Sequence, residues 1–392
     1  MHAIAAQISH LTKGIRTLPR QGHRVLDLLA HTPAGDLDDV LSIVDVPRVI
    51  AGVRNSPGGR HRAVDLLLRE RLGELSDDSL ARTISAFHRG CTSRYAQEAI
   101  VEVMTARTGS GFNELKYRLN STGDLHDLEH LVFEDLDEDL SDRLLEHIAD
   151  QADDGSGADT RILCDIDDTV KCMLHDRRYP RGTIYPGAIA LLKALDHGAA
   201  EEADRAGDLT FVTARPSGPR GLIEGYTRGR LSGLGLPPHT VMGGSFLNIH
   251  TKPAIAERKI QNMERDRLLF PETRMVFIGD SGQADGQVGA EMHARDPKVI
   301  VGTFLHNVTG LDDTAKQEWA AKGVHVFDTY AGAAAHALRL GLIRAEQARA
   351  VAADVRLGLD VLHMSTEQRR GLHQLLAADT ALIEAASTTT SA

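Results

Sequence analysis

Aromatic side chains are scarce in this chain: phenylalanine, tryptophan and tyrosine together make up 4% of its 392 residues. Proteins that bind single-stranded nucleic acid stack the bases on such side chains, so no stacking surface of that kind is expected. Positive charge is also in deficit, since the formal net charge is -11. A negative chain is repelled by DNA, RNA and anionic membrane surfaces, although a local basic patch is compatible with that total. We therefore expect no nucleic-acid partner and at most peripheral contact with a membrane.

Cysteines and long apolar runs are lacking as well. The three cysteines, Cys91, Cys164 and Cys172, are odd in number and form no CxxC pair. This argues against a disulfide framework and structural zinc, and it favours a reducing compartment such as the cytoplasm. No run of 18 or more apolar residues is present, so no membrane-spanning segment is predicted.

Acidic residues are absent from the first 26 positions, which carry Lys13, Arg16, Arg20 and Arg24. A basic start of this kind is typical of a transit peptide or of a helix on a membrane surface. Its apolar positions are weak, which makes an ordinary first helix the favoured interpretation. Those positions are Ile4, Ile8, Leu11 and Ile15.

The pattern of apolar residues changes near residue 150. Residues 1–150 repeat leucine and valine at helical spacing with almost no strand signal, which predicts a helical domain of unknown role. A polar, glycine-rich linker is expected over 151–160. From 161 to 330, short apolar runs alternate with helical segments, and such alternation is typical of a parallel sheet covered by helices on both faces.

The elements expected beyond the linker make up an α/β domain followed by C-terminal helices. Strands are predicted at 161–166, 208–213, 274–279, 298–304 and 323–327. Helices are predicted near 187–196, 218–232, 253–268 and 313–322. Residues 331–386 return to an Ala- and Leu-rich helical pattern, and the tail 387–392 is expected to be frayed.

A group of carboxylates follows the first predicted strand. Asp165, Asp167, Asp168 and Thr169 come directly after the apolar residues 161–164. Carboxylates crowded at a strand end repel each other and lose solvation, so a cation is expected there, and Mg²⁺ is the usual partner of hard oxygen ligands. Two carboxylates two residues apart can also divide the chemistry between a nucleophile and a proton carrier.

Two more predicted strands end in residues of the same chemical kind. The strand at 208–213 runs into Thr213-Ala214-Arg215-Pro216, and the strand at 274–279 runs into the acidic segment from Gly279 to Asp285. Lys252 and Lys259 precede that last strand. Ligands of open parallel sheets gather at the carboxyl ends of the strands, so these residues are expected to meet at one edge.

In order and spacing, these motifs resemble the haloacid dehalogenase (HAD) superfamily of phosphotransferases. DxDxT lies at 165–169, the second motif at Thr213, the lysine motif at Lys252 or Lys259, and GDxxxxD at 279–285. Over about 160–310 the chain is similar, more narrowly, to the App1-type phosphatidate phosphatase catalytic domain family. That family continues with Asp-Pro-Glu and a tyrosine after GDSG, whereas this chain continues with Gly286-Gln287-Val288 after Asp285.

The resemblance implies a mechanism through an aspartyl-phosphate. Asp165 would be the nucleophile, and Asp167 would protonate the leaving oxygen and later deprotonate the hydrolytic water. Thr213 would donate a hydrogen bond to the phosphoryl group, and a lysine would neutralise nucleophile and phosphate. Lys259 is favoured for this role because it begins a helical stretch that ends just before the motif strand. Lys252 precedes a proline, which favours an extended loop.

The resemblance also implies a metal site and contacts to the substrate. Mg²⁺ would be held by Asp165, Asp280 and the backbone carbonyl of Asp167, with Asp285 helping directly or through water. Arg215 is expected either to bind a substrate phosphate or to form a surface ion pair. The residues expected to contact substrate are Thr169, Ala214, Arg215 and Lys252.

Short gaps between the motifs imply a HAD-like Rossmannoid sheet with a minimal cap. Residues 170–207 and 217–251 leave room for a loop, helices and a glycine-rich stretch only. An open site suits a bulky phosphate ester such as phosphatidate, and closure by the helical domain is the alternative arrangement. The expected function is a Mg²⁺-dependent phosphomonoester phosphatase. The alternative is a regulatory or scaffold protein whose HAD-like domain senses a phosphorylated ligand and whose helical domain binds a protein partner.

Overall fold

A computed structural model describes the chain at residues 1–14, 17–90, 92–121, 127–152, 159–201, 208–216, 233–237, 239–244 and 252–390. Side chains at 213–216, 243–244, 252 and 389–390 lie outside that description, as do Cys91 and the predicted helix at 218–232. The chain divides into two compact units, Met1–Ala152 and Asp153–Ala392. In the part of the chain that the structure describes, no helix is long and apolar enough to cross a membrane.

The first unit is helical throughout its described ranges. Side chains that accept a hydrogen bond from the first turn begin several of its helices, as Ser76 does for Ser79 and Ser93 for Ala96. Its α-helices are α1 His2–Thr12, α2 Pro19–Ala30, α3 Leu37–Ile43, α4 Val46–Val53, α5 Gly59–Asp65, α6 Asp77–Phe87, α7 Arg94–Thr105, α8 Gly109–Asn120, α9 Leu128–His130 and α10 Glu138–Gln151. Short π- or 3₁₀-helical turns lie at Leu66–Glu70, Leu72–Glu74 and Leu131–Asp135.

The second unit contains a parallel sheet with strand order β3-β2-β1-β4-β5-β6. Its strands are β1 Thr160–Cys164, β2 Leu209–Pro216, β3 His239–Gly244, β4 Arg274–Asp280, β5 Ile300–His306 and β6 Val324–Phe327. Its helices are α11 Ala188–His197, α12 Lys252–Leu269, α13 Asp285–Arg295, α14 Asp313–Ala320, α15 Tyr330–Arg339, α16 Ala345–Val361 and α17 Thr366–Thr390. The predicted α/β fold with a parallel sheet is confirmed. The strand order reverses between β1 and β4, which makes the gap between their carboxyl ends the expected ligand position.

Both faces of the sheet are buried, because successive side chains of a strand point to opposite sides. Ile162 and Cys164 belong to one apolar cluster, with residues of α11, α15, α16 and α17. Leu163 belongs to a second cluster, with Met263 of α12 and Val288 of α13. The sheet is therefore the middle layer of three, as the alternation of strands and helices predicts.

The structure differs from the expectation in three elements. Residues 239–244, expected to belong to a glycine-rich cap, form β3 and pair in parallel with β2. Two terminal glycines hide this short strand, since glycine carries no strand signal. Helix α12 begins at Lys252 rather than in an extended loop, because a proline such as Pro253 fits the first helical turn. The last helix continues to Thr390, so the tail expected to be frayed is helical up to that residue.

Candidate active site

The carboxylates predicted to meet do so at the switch point of the sheet. Asp165 follows β1, and its backbone amide donates to the carbonyl of Ile278 in β4 at 2.9 Å. Asp280 is the last residue of β4, and Asp285 is the first residue of α13. The side chains of Asp165 and Asp280 are buried, with 3% and 0% of their surface exposed. The carboxyl groups of Asp165, Asp280 and Asp285 are thus all buried at this end of the sheet.

Lys259 of α12 joins two of these carboxylates. Its ammonium Nζ lies 2.7 Å from Asp165 Oδ1 and 2.5 Å from Asp285 Oδ1, and the side chain is 1% exposed. Burial by itself lowers the pKa of Lys259, but the adjacent carboxylates outweigh burial and raise that pKa above its usual value. Lys259 is therefore a fixed positive charge beside Asp165.

A buried ion pair sets the position of α12 against β1. Asp266, which is seven residues after Lys259 and so on the same helical face, accepts two hydrogen bonds from Arg161 at 2.8 and 2.9 Å. The Arg161 guanidinium also lies 3.7 Å from the centre of the Phe270 ring. Arg161 is the second residue of β1 and Asp165 follows its end, so Asp266 holds the helix near one end of the strand and Lys259 holds it at the other.

Asp285 is held in a position that only a glycine partner permits. A Cβ at Gly279 would lie 2.4 Å from Asp285 Cβ, so the side chain of Asp285 packs directly on the glycine backbone. The other carboxylate oxygen, Oδ2, accepts the backbone amide of Asp280 at 3.1 Å. Both oxygens of Asp285 are engaged, one by Lys259 and one by the amide, which makes Asp285 a support for its neighbours.

Asp280 is oriented by the turn that follows it. Its Oδ1 accepts the amides of Gly282 and Gln283 at 2.7 and 3.2 Å, and its Oδ2 accepts Nε2 of Gln283 at 3.2 Å. Burial, followed by the charges of Asp285 and Asp165, raises the pKa of Asp280 to about 9. Burial likewise raises the pKa of Asp165 to about 7, against the opposing effect of Lys259.

The pKa values of Asp165 and Asp280 are raised because three carboxylates are buried together beside a single ammonium, that of Lys259. Oxygens of Asp165, Asp280 and Asp285 all lie within 4.8 Å of one another. The donors are hard carboxylate oxygens, and the surplus negative charge is of the kind that a divalent cation neutralises. The residues present therefore fit Mg²⁺, which prefers oxygen ligands and is bound through one or two carboxylates.

Asp168 belongs to a second group of possible ligands, with His175 and Asp280. Its oxygens already accept the amides of Met173, Leu174 and His175 and the ring Nδ1 of His175, at 2.6 to 3.1 Å. Burial alone raises the pKa of Asp168, but these amides outweigh burial and lower it. Hydrogen bonds therefore occupy both carboxylate oxygens of Asp168. This side chain closes the loop of residues 168–175 instead of binding an ion.

The loop closed by Asp168 lies over the acidic turn. A Cβ at Gly282 would lie 2.5 Å from Cγ of His175, so the imidazole rests on the backbone of the turn that orients Asp280. Leu174, next to it, is 66% exposed. The loop therefore brings an imidazole and an exposed apolar side chain to the candidate site. The sequence did not single out either residue.

A second set of contacts, which the sequence did not predict, supports the backbone of residues 165–169. His306 at the end of β5 contacts the carbonyl of Asp168 through Nδ1 at 3.1 Å and the Arg178 guanidinium through Nε2 at 3.2 Å. Burial and the charge of Arg178 lower the pKa of His306 to about 4, so the neutral ring donates from Nδ1. The hydroxyl of Tyr330 donates to the carbonyl of Thr169. The sequence feature that could have pointed to His306 was its position just after the predicted strand 298–304.

The other residues predicted for the site are placed as follows. Asp167 is half-buried, and its backbone bridges to Lys171. Thr169 is buried with its hydroxyl 3.4 Å from Asp165 Oδ2, facing the nucleophile position. Four other residues have side chains outside the described part: Thr213, Ala214 and Arg215 at the end of β2, and Lys252 at the start of α12.

Comparison with known proteins does not assign the chain to a family. No family model, no curated protein and no solved structure matches the chain. Function has to be argued from the site alone.

Proposed function

We propose that this chain is a Mg²⁺-dependent phosphomonoester phosphatase of the HAD type. The observation that carries the proposal is the clamp of Lys259 between Asp165 and Asp285, with Asp280 beside it, at the switch point of a parallel sheet. A buried ammonium fixed next to a carboxylate suits a nucleophile that must approach a negatively charged phosphoryl group. Phosphoryl transfer needs positioning and positive charge above all.

In this proposal Asp165 attacks phosphorus through a carboxylate oxygen. The bond from phosphorus to the ester oxygen breaks, an aspartyl-phosphate forms, and Asp167 gives its proton to the leaving oxygen. Asp167 then takes a proton from a water that attacks the phosphorus, which releases inorganic phosphate and regenerates Asp165. Asp167 suits the proton-transfer role because its side chain is only half-buried and so accessible to water, whereas Asp165 is enclosed.

A bound Mg²⁺ would add positive charge at the phosphoryl oxygens, and Asp165, Asp280 and the carbonyl of Asp167 are the proposed holders. Lys259 neutralises Asp165 and keeps its carboxylate in one orientation. Asp285 holds Lys259 and the amide of Asp280 together. Thr213 at the end of β2 remains the proposed hydrogen-bond donor to phosphate, with Ala214, Arg215 and Lys252 as the proposed substrate contacts.

A bulky, partly apolar phosphate ester, such as phosphatidate, is the proposed substrate class. The described residues between β1 and β2, 165–201, contain a loop and α11 but no inserted domain. Leu174, exposed in the loop that packs against the acidic turn, supports an ester with an apolar body. Vesicles containing phosphatidate, a soluble sugar phosphate and a phosphopeptide are the substrates to compare, and preference for the sugar phosphate would contradict the proposed class.

The test of the activity is a substitution that removes the nucleophile and little else. Asp165→Asn is expected to abolish Mg²⁺-dependent release of phosphate from an aryl phosphate, because an amide oxygen is a poor nucleophile. Asp150→Asn, an exposed site in the helical unit, is the matched control and should retain full turnover. Equal turnover by both variants would refute the proposal. Tight binding of the phosphate ester without turnover by the unmodified chain would favour the regulatory alternative.

A further inference from the structure

The helical unit Met1–Ala152 contains a concave surface lined by three arginines. Arg48, Arg54 and Arg89 surround a cavity of about 410 Å³, together with Asp45 and small apolar residues. We call this cavity the arginine pocket. Its size lies in the range of small-ligand sites. Three guanidinium groups against one carboxylate give it an excess of positive charge in a chain whose net charge is -11.

The arginine pocket differs from the ion-paired surface of the same unit. Many arginines among the described residues of the unit form ion pairs with carboxylates, including Arg62, Arg69, Arg71, Arg82, Arg94, Arg107 and Arg118. Within the described residues, the guanidinium of Arg48 has no such partner. Arg54 donates to the backbone carbonyl of Arg89 at 2.7 Å, which fixes the guanidinium without neutralising its charge.

The backbone holds Arg54 in place. Gly90 has φ of 82°, a conformation that other residues rarely adopt, and a Cβ there would lie 3.3 Å from Nη1 of Arg54. The guanidinium therefore packs over the turn that follows α6. Burial lowers the pKa of Arg89, with Asp45 opposing that effect, so the third arginine is partly withdrawn from water. An anion at this position would meet the exposed guanidinium groups of Arg48 and Arg54, the second of them held by the backbone, beside the partly buried Arg89.

Asp45, the one acid of the pocket, already has a structural task. One of its oxygens accepts the backbone amide of Arg48 at 3.1 Å and caps the start of α4. Its charge acts on Arg89, and within the described residues neither Arg48 nor Arg54 forms an ion pair with a carboxylate, so these two guanidinium groups carry the excess positive charge. A phosphate dianion matches that excess, and the planar guanidinium presents paired donors to phosphate oxygens.

The geometry points to a phosphoryl-binding site in the helical unit, made by Arg48, Arg54 and Arg89 and separate from the catalytic residues. Its ligand is a phosphate monoester dianion, either on a small molecule or on a phosphorylated protein segment. This inference does not rest on the proposed phosphatase activity, since none of its residues belongs to the candidate active site.

Binding is tested with inorganic phosphate on the full chain in EDTA, by calorimetry and by hydrogen exchange. We expect a dissociation constant of about 1 mM or tighter, and slower exchange at 45–54 and 86–90. The double variant Arg48→Gln/Arg54→Gln should weaken binding at least about tenfold, because charge-assisted hydrogen bonds are lost. Arg20→Gln/Arg24→Gln, the same charge change on exposed residues of α2, should leave the affinity unchanged.

A gain of affinity separates charge recognition from damage to the fold. Asp45→Asn keeps a capping side chain and removes the one negative charge of the pocket, so phosphate should bind several-fold more tightly. Hydrogen exchange at 45–54 and 86–90 reports this pocket separately from any phosphate bound at the candidate active site. A phosphoserine peptide that binds more tightly than phosphate would identify a protein ligand, and equal affinities would identify recognition of the phosphoryl group alone. Absence of binding, equal losses in both arginine pairs, or unchanged exchange at 45–54 and 86–90 would overturn the inference.

Discussion

At the scale of single residues, the candidate site depends on two unusual backbone positions. Asp168 has φ of 59°, the left-handed region that costs a residue other than glycine about 1 kcal/mol or more. Three amides, His175 and His306 hold it there. At Gly279, the close approach of Asp285 excludes any side chain. Both positions lie next to the residues proposed to carry the chemistry, and Asp168 fits the tendency of backbone strain to occur at such sites.

Gly279→Ala is predicted to damage activity more than stability. The new methyl group would displace Asp285, and with it the clamp on Lys259 and the orientation of Asp280. We expect phosphatase turnover to fall at least about 100-fold, as for other misplacements of about 1 Å, with a stability loss of about 1–3 kcal/mol. Gly371→Ala, where no atom lies within 4 Å, is the control and should keep its activity. An active Gly279→Ala variant would show that the clamp is dispensable.

At the scale of elements, α12 is anchored at both ends of β1, and these contacts fix the position of Lys259 in the candidate site. Its two buried charges, Lys259 and Asp266, are seven residues apart and reach opposite ends of β1. The pair of Arg161 with Asp266 is fully buried, with Asp208 3.6 Å away. Buried pairs add little net stability while intact, but removal of one partner strands the other charge.

Arg161→Met is predicted to destabilise the second unit and to lower turnover. Asp266 and Asp208 would lose their cation in a buried position, at a cost of about 3–5 kcal/mol. Urea unfolding and aryl-phosphate turnover measure the two effects. Arg295→Gln removes an exposed pair between α13 and α12 and should change neither quantity appreciably. A loss of the same size in both variants would assign no special role to the buried pair.

Asp379 links the last helix to the sheet in a pH-dependent way. It lies on α17, is 7% exposed, and accepts the amide and the hydroxyl of Thr329 at 3.1 and 2.7 Å, next to the start of α15. Burial raises the pKa of Asp379 to about 6. Because the folded pKa lies above the unfolded value of 3.8, ionisation opposes folding, and stability is lost as the pH rises from about 4 to about 6.

Asp379→Asn is accordingly predicted to stabilise the protein above pH 6. The amide keeps an oxygen for Thr329 and removes the buried charge, whose cost is at most about 3 kcal/mol by the size of the pKa shift. Urea unfolding at pH 8 and at pH 4 should show a gain at the higher pH and little difference at the lower one. A variant less stable than the parent at pH 8 would mean that the charged hydrogen bonds outweigh the cost of burial.

At the scale of the whole molecule, the candidate site and the apolar core of the sheet lie within the same unit. Both core clusters of the sheet and all the carboxylates of the candidate site lie in Asp153–Ala392. The first unit has its own helices and buried residues, and the arginine pocket lies within it. Each unit therefore has the means to fold alone.

Residues 159–392 expressed alone are predicted to fold and to keep the proposed activity. The fragment contains both apolar clusters and every residue proposed to act on phosphate, so unfolding in urea should be cooperative. Turnover of an aryl phosphate should stay within about threefold of the full chain. An insoluble fragment, or a much larger loss of turnover, would show that the helical unit contributes to the folded state or to catalysis.

Strand and helix positions were predictable where periodicity was strong. The segments 161–166 and 274–279 were expected as strands and contain most of β1 and β4. β3 was missed because two of its six residues are glycines. The pairing of Lys259 with Asp165 was inferred from motif order, and the helix carrying Lys259, expected near 253–268, runs from Lys252 to Leu269. His306, Gln283 and Tyr330 could not be assigned, because their roles depend on contacts between distant segments.

The sequence by itself determined which residues stand at the strand ends, since apolar runs and the carboxylates that follow them are local features. The α/β order of elements and the helical character of the first 150 residues were determined in the same way. Only the tertiary structure decided what each carboxylate does. Asp168 is saturated by amides, Asp285 supports Lys259, and Asp165 and Asp280 carry raised pKa values. Burial and distance set these differences, and neither is encoded in the spacing of residues along the chain.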